Sequence, residues 1–267
     1  MDAPYELVVN TNACLDLLKV DTKHYTASVR HPSYRQNNLN SNGLDVQHAR
    51  TQLPAHISSH LDGLQEDRGS PGLPSDQIDG FLDKLETLAE GCTEADVQGL
   101  LEDVSGLHPQ NAWFAEATTQ GLRFPFFAIE FKAAGGSRGD LWVATNQCAG
   151  ASSACLNAVD RLNTLLQKTG SEQRVDNLSY SIAVDNSTAQ LYISWKEANL
   201  NYYLQRVDAF LLSCPEHFRE FRKQVRNILD WGKDTRLPQI KDALDIILDE
   251  NRKKLASTWR EDKREVL

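Results

Sequence analysis

Glu130 and Lys132 sit two residues apart in the otherwise apolar run Pro125-Phe126-Phe127-Ala128-Ile129-Glu130-Phe131-Lys132. Side chains on a strand alternate between faces, so this spacing sends the carboxylate and the ammonium to one side and Ile129 and Phe131 to the other. Ionisable groups inside an apolar strand need a partner, either each other or a metal ion. Two arrangements fit. A carboxylate at a strand end can hold Mg²⁺ or Mn²⁺ while the ammonium orients an attacking water and offsets charge on a phosphoryl group. The same residues also serve a same-face ion pair at a sheet edge. Spacing alone leaves both open.

Other residues carry weaker signals. Asn146, Gln147, Asn157 and Asn163 stand among small residues, a set suited to a buried hydrogen-bond network or to the wall of a site. Arg219, Arg222, Lys223 and Arg226 recur at i, i+3, i+4 and i+7, one stripe on a helix. Such a stripe can track phosphates, or it can be a solvated face opposite Phe218, Phe221, Val225 and Leu229. His56 and His60 stand at i, i+4 but lack the glutamate of H-E-x-x-H, which favours surface or cap roles over zinc. The five cysteines (Cys14, Cys92, Cys148, Cys155, Cys214) show no C-x-x-C spacing, against a zinc knuckle or disulfide framework and in favour of a reducing compartment. Ser152-Ser153 lacks the G-x-S-x-G elbow of a serine nucleophile.

The elements that must position these groups can be read along the 267 residues. Residues 1–40 have few apolar clusters and read as an extended arm. Helical spacing of Ile57, Leu61 and Leu64 predicts a helix over 54–67, broken by the Gly/Pro-rich stretch 69–74. Ser75 caps a following helix through Phe81, Leu82, Leu85 and Leu88. Thr93 opens another, with Glu94 and Asp96 in its first turn. A strand over 125–132 leads through a glycine-rich turn into a long helix ending near Gly170. The alternating segments 178–184 and 189–195 predict a β-hairpin. Residues 202–212 make a third strand, Pro215 starts a helix to Trp231, and a last helix runs over about 237–256. This order gives a mixed α+β fold, with residues 1–75 as an N-terminal arm and short helix and 76–267 as an α/β domain with C-terminal helices.

The net charge of −9 argues against a general nucleic-acid coat protein, although residues 215–267 carry 13 Lys+Arg against 11 Asp+Glu. No basic-then-apolar leader opens the sequence, and no apolar run approaches the ~20 residues that span a bilayer. An intracellular protein, cytoplasmic or nuclear and without a membrane partner, is expected.

Several blocks resemble a fungal family of unknown function classed with the PD-(D/E)XK, or restriction-endonuclease-like, nucleases. They are the strand Phe126–Lys132, Ala144-Thr145-Asn146-Gln147-Cys148, Tyr34-Arg35-Gln36-Asn37-Asn38-Leu39, Ile193-Ser194-Trp195-Lys196 and Asn227-Ile228-Leu229-Asp230-Trp231-Gly232. The resemblance implies a restriction-endonuclease-like core sheet flanked by helices. It makes Glu130 and Lys132 the E-x-K half of the nuclease signature and places Gln147 toward the same site. Glu94 or Asp96 would match the acid supplied by the preceding helix, so that Glu130 and Glu94 hold the metal. The signature's first aspartate has no counterpart, since no aspartate lies between Asp103 and Glu130. Glu116 or Asp140 as a substitute, or an exon lost between Leu107 and Phe124, would restore it; impaired hydrolysis is favoured over substitution. The expected function is therefore ancestral metal-dependent phosphodiester hydrolysis of nucleic acid, now impaired. The competing expectation is a non-catalytic scaffold that binds a protein or nucleic-acid partner.

Overall fold

The computed structural model describes residues 27–69, 72–89, 124–132, 140–197 and 201–265. The helix expected from Thr93, the segment before Phe124 and the glycine-rich turn at 133–139 lie outside these residues. A five-stranded mixed sheet carries the fold, with strands β1 (Leu44–Gln47), β2 (Phe127–Phe131), β3 (Leu178–Val184), β4 (Thr188–Lys196) and β5 (Tyr202–Leu211). Their spatial order is β1-β5-β4-β3-β2. Strand β2 runs parallel to β3, the β3–β4 hairpin and the β4–β5 pair are antiparallel, and β1 runs parallel to β5. Helices α1 (Ala55–Gln65), α2 (Ser75–Ala89), α3 (Asp140–Lys168), α4 (Pro215–Trp231) and α5 (Leu237–Glu265) complete the described elements. The mixed α+β reading holds. Helix α5 runs past the expected residue 256, because no glycine or proline interrupts the sequence there.

The two faces of the sheet follow from strand alternation. Phe127, Tyr180, Ile182, Val184, Leu191, Ile193 and Phe210 point to one side and bury against Ile57 and Leu64 of α1, Ile78 and Leu85 of α2, and Phe218, Phe221, Val225 and Ile228 of α4. Burying each such side chain contributes about 1.5–3 kcal/mol. Ala183, Tyr192 and Leu204 point the other way, against Ala144, Cys148 and Ala149 of α3. A bulge between Leu191 and Tyr192 pairs these neighbours with Asp208 and Arg206 respectively, leaving Val207 as the extra residue. Arg206 therefore shares the α3 face with Tyr192, while Asp208 points to α4 and accepts a hydrogen bond from Gln224 (2.8 Å).

The expected extended arm is corrected over its described part. Arg35–Leu39 winds into a π-helical turn and Asn40–Asn42 into a 3-10 turn. Tyr34 and Leu39, five residues apart, are both buried in the α3-side cluster, and an i→i+5 turn from Asn40 N–H to the Arg35 carbonyl suits that spacing. Gly43, at φ 73°, takes the left-handed conformation that turns the chain into β1. The 1–75 segment thus supplies an edge strand to the main sheet.

At the opposite end, Arg236 is the largest fully buried side chain among the described residues, 1 % exposed. Its guanidinium donates to the carbonyls of Asp176, Leu178 and Pro125, tying together the entries of β2 and β3. Burial lowers its pKa to about 10, which leaves it charged at neutral pH. The preceding π-turn begins at Gly232, where a Cβ would lie 1.8 Å from the Phe126 ring. Only glycine lets the chain pass there.

Candidate functional site beneath helix α3

Glu130 is the fourth residue of β2 and lies opposite Ala183 of β3; the Lys132 N–H donates to the Val184 carbonyl at 2.9 Å. The side chains of Glu130 and Lys132 share the α3 face, as alternation requires. Glu130 is 4 % and Lys132 7 % exposed, and Lys132 Nζ stands 3.7 Å from Glu130 Oε2. The pair is buried by the helix above and has room because its cross-strand neighbour is alanine. Cys148 of α3 is wholly buried on the same face, within electrostatic reach of the pair. Burial, and then the Glu130 charge, push the Cys148 thiol well above the ordinary thiol range, with Ser181 and Lys132 pulling the other way. It is a neutral packing group, without thiolate reactivity.

Gln147 is buried on α3, one residue before Cys148. The described structure therefore brings Glu130, Lys132 and the helix bearing Gln147 to one face. Glu94, Asp96 and Glu116 lie outside the described residues. Asp140 opens α3.

The basic stripe lies elsewhere. Arg219, Arg222, Lys223 and Arg226 are on α4, which packs on the opposite face of the sheet. Lys223 pairs with Glu220 (2.9 Å) and Asp67 (3.3 Å), and Arg219 with Glu216 (3.9 Å). Spacing alone specified a common helix face but not a side of the sheet. A nucleic acid running along this stripe would not meet Glu130. On the same side as α4, a cleft of about 680 Å³ is lined by residues including His60, Arg68, Asp176, Asp230 and Trp231. Arg68 closes part of it by pairing with Asp230 (2.5 Å) and donating to Asn227 (2.7 Å). His60 stacks on Tyr180 and meets Trp231 edge-on. His60 is thus seated among aromatic rings of the core, not in the surface or cap role expected of it.

Residues that the spacing arguments did not single out surround the Glu130 face. Tyr192 points to α3, where its hydroxyl lies 2.9 Å from Thr145 Oγ1 and donates to Gln190 Oε1 at 2.6 Å. Arg35 places its guanidinium carbon over the Trp142 ring, 3.7 Å from its centroid, and its Nε donates to Asn146 Oδ1 at 2.8 Å. The wholly buried Asn146 in turn donates to the Val29 carbonyl at 3.1 Å. Burial raises the Tyr192 pKa, while Thr145, Arg206 and Arg35 pull it down; both guanidinium groups therefore lie within electrostatic reach of that phenol. The sequence signal for Arg206 is a cation inside the alternating strand Tyr202–Leu211. Arg35 has no local signal, because its partners lie more than a hundred residues away.

A divalent cation would need several oxygen ligands here. Mg²⁺ commonly takes one or two carboxylates and retains water. Glu130 supplies a carboxylate, but it is already engaged by Lys132, and the described residues contain no group of three or more His, Cys, Asp or Glu able to hold a metal. Among the described residues this donor set does not complete a metal site.

A domain of unknown function, DUF7924, matches residues 94–244, more than half of the chain. The chain belongs to the DUF7924 family. No curated protein and no solved structure matches it. The DUF7924 segment holds β2 to β5, α3 and α4, and with them Glu130, Lys132, Gln147 and the α4 stripe. Strand β1 and Arg35 lie before it. None of the described helices is long and apolar enough to cross a membrane.

Proposed function

We propose that this DUF7924 protein is a PD-(D/E)XK nuclease-like protein that engages the phosphodiester backbone of nucleic acid, with ancestral metal-dependent hydrolysis impaired. The supporting observation is the placement of Glu130 and Lys132 together on the face covered by α3. They stand at the C-terminal end of a strand whose next described helix leads to the adjacent parallel strand. A carboxylate and an ammonium at such a strand end suit phosphoryl chemistry, the acid toward Mg²⁺ or Mn²⁺ and the base toward water and phosphoryl oxygen. Impairment is supported by the lack, among the described residues, of a group of three or more His, Cys, Asp or Glu able to hold a metal, and by the missing signature aspartate.

The experiment is Mn²⁺- and Mg²⁺-dependent cleavage of single- and double-stranded DNA and RNA by the purified chain, beside Glu130→Gln and Lys132→Met. Weak cleavage abolished by either substitution is expected. Cleavage that survives both would remove the assignment of this site. The ion pair, closed and desolvated, favours a second reading, a non-catalytic binding domain in which the pair is architectural. Binding without turnover under every metal condition would select it.

A further inference from the structure

We propose that Arg35, with Arg206 across Tyr192, forms a phosphate-binding pair on the α3 face, and that it grips the backbone phosphate of a nucleic acid held toward Glu130. The identity of the ligand rests on the reading above; the anion site itself rests on geometry. Arg35 is half-buried and held from two sides, by stacking on Trp142 (3.7 Å) and by the Nε hydrogen bond to Asn146 (2.8 Å). Asn146 is anchored to the Val29 carbonyl, so its oxygen is fixed as the acceptor for Arg35. Among the described residues neither terminal nitrogen of Arg35 has a hydrogen-bond acceptor, and neither Arg35 nor Arg206 has a carboxylate partner.

This differs from the arginines elsewhere in the fold. Arg236 spends its donors on backbone carbonyls and Arg68 on Asp230 and Asn227. Arg35 is equally ordered yet presents its outer edge without an acceptor. An ordered guanidinium gives two parallel N–H donors matched to phosphate oxygens, and its ordering cost is already met by the ring and the amide. Desolvation lowers its pKa, the sign of a cation that an incoming anion would stabilise. Arg206 is exposed and is the cross-strand partner of Tyr192, so the two cations approach that phenol from the π-turn and from β5. Tyr192 shares the α3-side cluster with Cys148, whose thiol is within electrostatic reach of Glu130 and Lys132. The cations and the acid–base pair thus share the α3 face of the sheet.

The test is fluorescence anisotropy of a 5′-fluorescein-labelled single-stranded 12-mer in EDTA, for the full chain and for Arg35→Ala, Arg35→Lys, Arg206→Ala and Arg219→Ala. Arg35→Ala is expected to weaken binding about tenfold and to lower the slope of log K against log salt by about one. Arg35→Lys should lose most of this affinity, since an ammonium keeps the charge but not the fork. Arg206→Ala should lose about threefold, and it tests the pair even if Arg35→Ala fails to fold, because Arg206 lies exposed on a strand. Arg219→Ala, on the opposite face, should leave binding unchanged. Inorganic phosphate should compete through Arg35 but far more weakly than the oligonucleotide; equal competition would reassign the site to free phosphate. Loss in Arg219→Ala with none in Arg35→Lys or Arg206→Ala would overturn the proposal. Arg35-dependent binding without cleavage leaves it standing and removes only hydrolysis. Glu130-dependent cleavage with unchanged KM and affinity in Arg35→Lys and Arg206→Ala does the reverse.

Discussion

Strand β3 presents two different chemistries on its two sides, and both are buried. Toward α4 it shows Tyr180, Ile182 and Val184; toward α3 it shows Ser179, Ser181 and Ala183. Strands buried on both faces usually read as continuous apolar runs. Here one face is built for packing, with aromatic and branched side chains from three helices. The other is small and hydroxylic, so that α3 lies close, and it carries Glu130, Lys132, Tyr192 and Arg206. The contrast separates the part of the molecule that holds the sheet together from the part whose chemistry burial alone does not require.

The sharpest way to break that contrast is at the ion pair. Lys132→Met leaves the Glu130 carboxylate buried without its ammonium, and such losses cost about 3–5 kcal/mol. The double replacement Glu130→Leu/Lys132→Met should cost much less, because no charge is then stranded. Urea titrations of the two proteins read this directly; equal destabilisation would mean that the pair packs as ordinary side chains. On the other face Ile182→Ala should cost about 2–5 kcal/mol through lost transfer energy and the cavity left behind. A loss below 1 kcal/mol there would mean that the α4 face is not the principal core.

A smaller effect probes the hydroxyl network. Tyr192→Phe removes the group between Thr145 and Gln190 and should cost about 1 kcal/mol by denaturant unfolding, with Gln190 Oε1 left to take another donor or water while the Thr145 hydroxyl keeps its bond to the Leu141 carbonyl. This network also marks the limit of what spacing conveys. The same-face placement of Glu130 and Lys132 was legible because strand alternation is a local rule, and so were the hairpin, α3 and the Pro215 helix. Strand β1 was not: it is four residues long, only Leu44 is fully buried, and its partner Tyr202 lies far along the chain. The turn at Arg35–Leu39 was read as an arm because its polar residues hide the Tyr34/Leu39 pair. The Arg35–Trp142–Asn146 contact needs tertiary structure to exist at all. Periodicity defined the basic stripe but could not say which side of the sheet α4 would cover.

His60 offers a pH probe confined to the α4 side. Burial lowers its pKa, with Asp176 opposing. A histidine depressed in the folded state binds fewer protons than in the unfolded chain below the ordinary value near 6.5, so stability rises with pH there and is lost as pH falls from 6.5 through the lower folded value. His60→Phe keeps the ring against Tyr180 and Trp231 and removes the titration. Its melting temperature should fall less steeply than that of the parent between pH 7 and pH 5. An identical slope would mean that the ring is hydrated and carries no such linkage.

The smallest expected change is Ser179→Ala, one position before Tyr180 and on the opposite side of the same strand. Ser179 is wholly buried, and its Oγ has no hydrogen-bond partner among the described residues. A buried hydroxyl left without a partner carries a desolvation cost that a methyl group does not, so alanine should be neutral or stabilising by up to about 1 kcal/mol. Ser179→Leu should instead cost about 1–3 kcal/mol or more, because the added volume has to displace the closely packed α3 face. If alanine costs more than 1 kcal/mol, the hydroxyl is bonded within the native protein, and the α3 face is a satisfied polar network whose serines hold the sheet as firmly as the isoleucines opposite.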